Sequence, residues 1–548
     1  MHKELVGRPT NSSITVQTIF SDSVAISIQY GISSGVYDNQ TNWQLFAGNE
    51  SAVVLISNLL SDTKYYYRLN YKSPNATTAI LRPEFSFHTS RAETSSFSFV
   101  VQADPHLDIQ SDTAIYSRCL QNQLEDTPDF MIDLGDFLMT DKLKNASNVI
   151  PRDTITYRCD LLRAYYEKIG HSVPLFIALG NHEGESGWNL NGTANNIAVW
   201  GTQERKKYFL NPFPNEFYSG DTTSYQYVGQ RASYYSWNWG DAQFIVLDPY
   251  WFTETKPDSL HGWRWTLGLV QYNWLKSTLE NSNAKYKFVF AHQLIGGDPD
   301  GRGGVEFANF YEWGGKNIDG SDGFAENRPG WYKPIKDLLT ENRVNIFFHG
   351  HDHFFGKQEK DCLIYQETPQ PSHPNFSNTN LATDYGYFSG QFLPNSGHIR
   401  VTVNNEDIKV EYVRTYKAED ESPTRHNKDV SATYFISNVN CYDSLSTGVP
   451  TLWNANYYDE IAFPNPFSDQ IKIEFSVKKE ERISIDIRDE NGKIVRNLVT
   501  GNNVPKGNFQ IFWDGTSSNN TKLSNGKYFY TISGTNSGNK TGIIMLNK

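Results

Sequence analysis

Five short polar clusters, each set directly behind a compact apolar run, constrain this chain more than any other feature of its 548 residues. They are Asp104-Pro105-His106, Gly135-Asp136, Gly180-Asn181-His182-Glu183, His292 and Gly350-His351-Asp352-His353. The runs at 98–103, 130–134, 174–179, 286–291 and 344–348, with a sixth at 243–247, have the length and continuous apolarity of buried strands. Helix-compatible stretches separate them, which predicts an α/β domain. Polar residues at the ends of such strands lie where α/β sheets place their ligand-binding loops. Singly, each cluster has an ordinary reading: a turn at Asp104-Pro105, a helix entry at Gly135-Asp136, a turn residue at Asn181, a core histidine at His292. Jointly they supply carboxylate, amide and imidazole groups that suit divalent metals. Asp104 and His106, like His351 and His353, stand two positions apart, a spacing that points both side chains the same way on a strand.

As a set, the clusters resemble the calcineurin-like metallophosphoesterases, whose pattern is DxH, GD, GNH[DE], H and GHxH, over residues 97–415. The resemblance implies a four-layer α/β/β/α fold with two facing sheets, and two divalent ions (Mn, Fe, Zn or Co). It implies that Asp104, His106, Asp136 and His353 bind the first ion and that Asp136, Asn181, His292 and His351 bind the second, Asp136 bridging them. A hydroxide held between the ions would attack phosphorus, its pKa lowered from about 15.7 towards about 7. His182 would protonate the leaving alkoxide. The expected reaction is hydrolysis of a small phosphorylated substrate, monoesters before diesters such as nucleotides or lipid head groups. A reading of another class, a cell-surface binding or adhesion protein with structural metals, leaves the spare His182 without a purpose.

Two departures from related patterns matter. Purple acid phosphatases carry DxG and a Tyr ligand three residues after the bridging Asp, where this chain has His106 and Met139. No tyrosinate is then expected for ferric iron. Calcineurin-type enzymes often carry an acidic residue at the Met139 position to orient the catalytic His, so the group that orients His182 stays unassigned. Asn181, together with Arg302 and Arg328 in Gly-rich segments, is a candidate phosphate contact, since a guanidinium matches phosphate bidentately.

The flanks read differently. Residues 13–89 alternate in short runs broken by Asn, Ser, Gly and Pro, the pattern of an antiparallel sandwich. Leu59-Leu60-Ser61-Asp62-Thr63-Lys64-Tyr65-Tyr66-Tyr67-Arg68 and Phe85-Ser86-Phe87-His88-Thr89 resemble the fibronectin-III-like domain that precedes the purple acid phosphatase catalytic domain. This gives a sandwich at 1–93 and a catalytic domain at 94–416 that ends on the hairpin 398–413. A Ser-, Asp- and Asn-rich linker is expected at 417–460. From 461 to 548 a second alternating pattern carries Phe463-Pro464-Asn465-Pro466-Phe467, Phe512-Trp513-Asp514-Gly515 and Asn525-Gly526-Lys527-Tyr528. It resembles the Ig-like C-terminal sorting domain of the type IX secretion system. That resemblance implies a bacterial protein, secreted or held at the cell surface, with the secretion machinery as partner. The first residues lack the apolar core of a signal peptide.

Composition sets the remaining bounds. A formal net charge of −12 argues against binding a nucleic-acid polymer, whose affinity rests on Lys and Arg neutralising phosphates. No apolar run reaches the roughly 18 to 20 residues of a membrane-spanning helix. The four cysteines show no CxxC spacing, so one or two disulfides are open to them and a zinc knuckle is not expected. The aromatic stretches 234–239 and 250–252 read as strand packing.

Overall fold

In the computed structural model, which describes residues 2–297, 300–437, 461–463, 467–477, 479–489, 492–519, 521–535 and 538–547, the alternating N-terminal runs pair into a sandwich. His2–Gly7, Ser13–Ile19 and Ser51–Ser57 form one sheet, and Val24–Gly31 pairs with Lys64–Lys72 in the other. Inward positions alternate along each strand, so Ile14, Val16, Ile26, Ile28, Val54, Ile56, Tyr67 and Phe87 make a single core.

The sandwich belongs to the first of two units, residues 1–438. The rest of that unit holds two sheets. One has six strands in the order Leu175–Ile177, Phe130–Asp133, Phe97–Gln102, Gly397–Val403, Asp407–Arg414 and Val430–Ser437. The other has eight and is centred on the parallel strands Ala242–Val246, Tyr286–Phe290, Ile346–His349 and Leu363–Glu367. Their inner faces meet through a mostly aromatic core that includes Phe99, Phe130, Phe176, Trp237, Phe244, Phe288, Phe290 and Phe348. The Phe99 and Phe244 rings meet edge to face at 5.1 Å, a favoured aromatic geometry. Helices Thr113–Glu125 and Arg152–Tyr166 cover the outer face of the six-stranded sheet, burying Tyr116, Leu120, Leu162 and Tyr166 against Val100, Met131 and Ile177. Helices Gly268–Glu280 and Ile335–Glu341 cover the other sheet. The layering is therefore α/β/β/α. Phe97–Gln102 runs parallel to Phe130–Asp133, and Phe130–Asp133 to Leu175–Ile177, so three of the polar clusters leave one sheet at the same level.

One expected boundary is corrected. The segment 417–460 was expected to be a linker, but its first part returns to the sheet. Val430–Ser437 pairs antiparallel with Asp407–Arg414, with Ala432 buried and Tyr434 and Ile436 packed on the inter-sheet core. The alternation is short and sits between polar residues, which masks it in sequence. The remainder, 438–460, lies outside the described residues.

The second unit, residues 439–548, is a sandwich of its own. Ile461–Phe463, Ile471–Val477 and Gly507–Trp513 form one sheet. Ile494–Val504, Glu481–Arg488, Gly526–Gly534 and Gly538–Leu546 form the other. Ile473, Ile483, Ile485, Ile487, Trp513 and Tyr530 fill it. Cys119 and Cys159 are buried free thiols, and Cys362 is disulfide-bonded. Among the described residues, no helix is long and apolar enough to cross a membrane.

Candidate metal centre and active site

The polar clusters converge just beyond the strand ends, and they do so by a route that strand alternation did not anticipate. The strands stop at Gln102 and His349, so neither Asp104/His106 nor His351/His353 is a same-face strand pair. Instead Asp104, His106, Asp136, His351 and His353 all have left-handed backbone, with φ of 57°, 47°, 55°, 78° and 64°. Asp and His tolerate this region better than most side chains, though each such residue still costs about 1–3 kcal/mol.

Buried polar groups hold these turns. The Glu183 carboxylate accepts from the N–H groups of Asp136 (3.0 Å), Phe137 (2.9 Å), Leu138 (3.1 Å) and Gly180. Burial and the nearby Asp136 push Glu183 up to about 8, while the N–H donors pull the other way. Arg158, buried on helix Arg152–Tyr166, donates to the carbonyls of Leu107 (3.0 Å), Leu138 (2.5 Å) and His106. One guanidinium thus ties the Asp104 loop to the Asp136 loop. A Cβ on Gly180 would lie 2.3 Å from the Asp136 amide, so the close approach of the two loops requires glycine.

The side chains gather into two groups whose ligand atoms lie within 4.8 Å of one another: Asp104, His106 and His353, and Asp136, His292 and His351. Asp136 stands between them. Its Oδ2 is 3.2 Å from His292 Nε2 and 3.9 Å from His106 Nε2. Asn181 joins the second group, its Oδ1 lying 3.0 Å from His292 Nε2. His292 Nδ1 donates to the Leu134 carbonyl at 3.0 Å, which turns Nε2 towards the cluster. The His351 N–H donates to Asp104 Oδ2 at 2.9 Å, leaving Oδ1 facing inward.

A metal fits this arrangement. Asp104 Oδ1 and His106 Nε2 are buried and have no hydrogen-bond partner among the described residues, although buried polar atoms are ordinarily satisfied. Burial opposes charge on His106 and His292. Asp104, Asp108 and Asp136 nevertheless push His106 up to about 10, and Asp136 and Asp104 push His292 up to about 9. Burial works against ionisation of Asp104 as well, but His292 and His353 hold it well below the usual carboxylate range. Carboxylates that draw protons onto imidazoles would equally draw cations.

His182 lies at the edge of the cluster. Its Nε2 is 3.9 Å from Asp136 Oδ2, and its Nδ1 donates to Asp141 Oδ1 at 2.8 Å. Asp141 is the orienting group that the sequence left unassigned. It lies in the short turn Thr140–Lys142 that follows left-handed Met139 (φ 53°), two residues past the position where an acid was sought. A search for any Asp or Glu just beyond the Gly135-Asp136 cluster would have raised it as a candidate.

The two arginines part company. Arg328 is spent inside the fold, ion-paired to buried Glu312 and donating to the carbonyls of Trp263 (2.7 Å) and Trp265 (2.8 Å), so the expectation that it contacts phosphate is corrected. Arg302 donates to the His351 carbonyl and to Asp352 Oδ1, both at 2.8 Å, and lies over the Tyr385 ring. It buttresses the His351 turn and keeps a partly exposed guanidinium beside it.

Comparison with known proteins agrees with this geometry. Residues 97–355 match the family model of the calcineurin-like phosphoesterases, and residues 467–538 match that of the FlgD Ig-like domain. A curated relative, "Probable inactive purple acid phosphatase 1" of Arabidopsis thaliana, is 24% identical over 328 residues, 57% of this chain and 44% of the relative. The chain therefore spans less than half of that relative's length. Among solved structures, PhoD superposes with a TM-score of 0.57 at 14% identity, covering 79% of this chain and 90% of that one. Purple acid phosphatase PPD1 from yellow lupin (Lupinus luteus) seeds superposes at 0.51 and 16% identity, covering 79% and 74%. At such identities the likeness is one of fold. Residues 97–355 thus carry a calcineurin-like metallophosphoesterase domain.

Proposed function

We propose that this chain is a two-metal phosphoesterase acting on phosphate esters, monoesters in preference to diesters. Asp104, His106, Asp136 and His353 would hold one divalent ion, and Asp136, Asn181, His292 and His351 the other. Bound there, the ions would supply Lewis acidity for the phosphoryl oxygens and a lowered pKa for the attacking water. The protein's own part is proton transfer and alignment. Asp141 accepts from His182 Nδ1–H, so in the protonated ring Nε2–H faces the ligand cluster and its proton can be handed to the leaving oxygen. Arg302 is available to steady a phosphoryl oxygen at the rim. The observation that carries the reading is His182 itself: a histidine beside the cluster, oriented by a carboxylate, that belongs to neither ligand group.

The test compares two substrates in His182→Ala. For an alkyl phosphate, kcat should fall by roughly 10²- to 10⁴-fold, the usual share of general acid catalysis. For a nitrophenyl ester, whose leaving group needs little protonation, the loss should be small. Bound metal should be unchanged. Equal losses on both substrates would remove His182 from the role of acid, and loss of metal would make it a ligand.

For the C-terminal unit we propose export sorting, on the strength of its sequence motifs. All the grouped ligand residues lie at or before His353, so the last sandwich contributes none of them.

A further inference from the structure

We propose that the groove between helix Gly268–Glu280 and the edge of the eight-stranded sheet binds a neutral oligosaccharide. The groove has a volume of about 380 Å³, within the range of small-molecule sites. Ten residues line it and none is charged. The inference does not depend on the phosphoesterase reading.

The groove follows from two periodicities. On the sheet, Trp237 and Phe244 point into the inter-sheet core, so Ser236, Asn238 and Gln243 project from the opposite face, with Asn238 directly across from Gln243. On the helix, Leu275 and Leu279 are buried, while Trp274, Ser277, Thr278 and, just past the helix, Asn281 line the groove. Those four positions have the i, i+3, i+4, i+7 spacing of a single helix face. A second face of this helix is therefore built from one aromatic ring, two hydroxyls and an amide.

Gln243 points to a ligand. It is only 7% exposed, yet its Oε1 has no hydrogen-bond partner among the described residues, and its Nε2 reaches only the Thr278 carbonyl at 3.5 Å. An unpartnered amide oxygen is costly; it is closed to the groove as it stands, so a ligand hydroxyl would meet it once the amide turns outward. Beside it, half-buried Trp274 is fixed by donating Nε1 to Ser219 Oγ at 3.2 Å and by packing on Tyr234 at 4.9 Å. Phe217 lines the groove as a second aromatic.

The ligand class follows from these groups. Planar amides and hydroxyls pair with vicinal hydroxyls, and aromatic rings pack on the apolar C–H faces of a pyranose. Without Lys or Arg the groove offers nothing to a phosphate, and without Asp or Glu nothing to a cation. Gln243 stands opposite Lys287, five residues before His292, or about 16 Å along the strands. A glycan held there would anchor the catalytic domain and leave the metal centre free.

The experiment titrates the full chain with cellohexaose, maltohexaose and chitohexaose by calorimetry. At least one should bind saturably. Trp274→Ala and Asn281→Ala should each weaken that binding, the former by about tenfold, with hydrolysis of a small phosphate ester unchanged. Should Trp274→Ala fail to fold, Asn238→Lys, at an exposed position, carries the same test by filling the groove. Absence of binding by all three hexasaccharides overturns the proposal, and so does binding that these substitutions leave intact.

Discussion

Replacing Asp141 with Asn should separate orientation of the proton donor from binding of the metals. The Asp141 carboxylate holds His182 Nδ1 at 2.8 Å and is 29% exposed. A hydrogen bond to a charged group contributes about 1.5–3 kcal/mol, and partial exposure places this one in the lower half. About 1.5–2 kcal/mol corresponds to a loss of roughly 10- to 30-fold in kcat, at about 1.4 kcal/mol per factor of ten. Asn keeps the shape but removes the negative charge that faces the protonated ring, which adds to the loss. The defect should appear with an alkyl phosphate and nearly vanish with a nitrophenyl ester, while metal content stays at the wild-type level. Steady-state kinetics on both substrates, with metal analysis of the same samples, decides the matter. An equal loss on both substrates would show that Asp141 acts on phosphate binding or on the fold, and no loss on either would remove the dyad from the mechanism.

Two further outcomes follow from the same geometry. His106 and His292 are held up at about 10 and about 9 from an ordinary 6.5, so their contacts stabilise the metal-free protein fully below about pH 6.5 and are lost as pH rises through 9 to 10. Metals compete with those protons, so metal affinity should rise over that interval, and calorimetry at pH 7 in buffers of differing ionisation enthalpy should register release of about two protons; affinity independent of pH would contradict this. Deleting 461–548 should leave kcat nearly unchanged while abolishing export in the native host, and a large loss of kcat in the truncated, folded protein would show that the last sandwich supports catalysis.

Which side chains come together was legible because the pattern is local: each cluster follows an apolar strand, and parallel strands bring their ends to one level whatever the intervening sequence. The way the ligands converge was not legible. Left-handed turns at Asp104 and Asp136 depend on the Glu183 cage and on Arg158, which reaches both loops from a helix, and the one at His351 on Asp104 and Arg302. No spacing rule connects Arg158 to His106. Asp141 escaped for a related reason: the left-handed Met139 sets the chain into a turn, and the acid arrives two residues later than a motif would place it. Arg328 illustrates the opposite error, since a Gly-rich neighbourhood suggested a phosphate contact while burial commits the guanidinium to Glu312. Strand Val430–Ser437 was hidden because one edge strand among polar residues carries little periodic signal.

The most direct test of the account counts metals. The purified full chain, stripped with chelator and titrated with Mn²⁺, should take up two ions per chain and regain hydrolysis as they bind. Asp136→Ala should lose both ions and activity together, because its carboxylate lies between the two ligand groups. A single bound ion at full activity, hydrolysis that persists without metal, or an Asp136→Ala protein that still holds two ions would contradict the account.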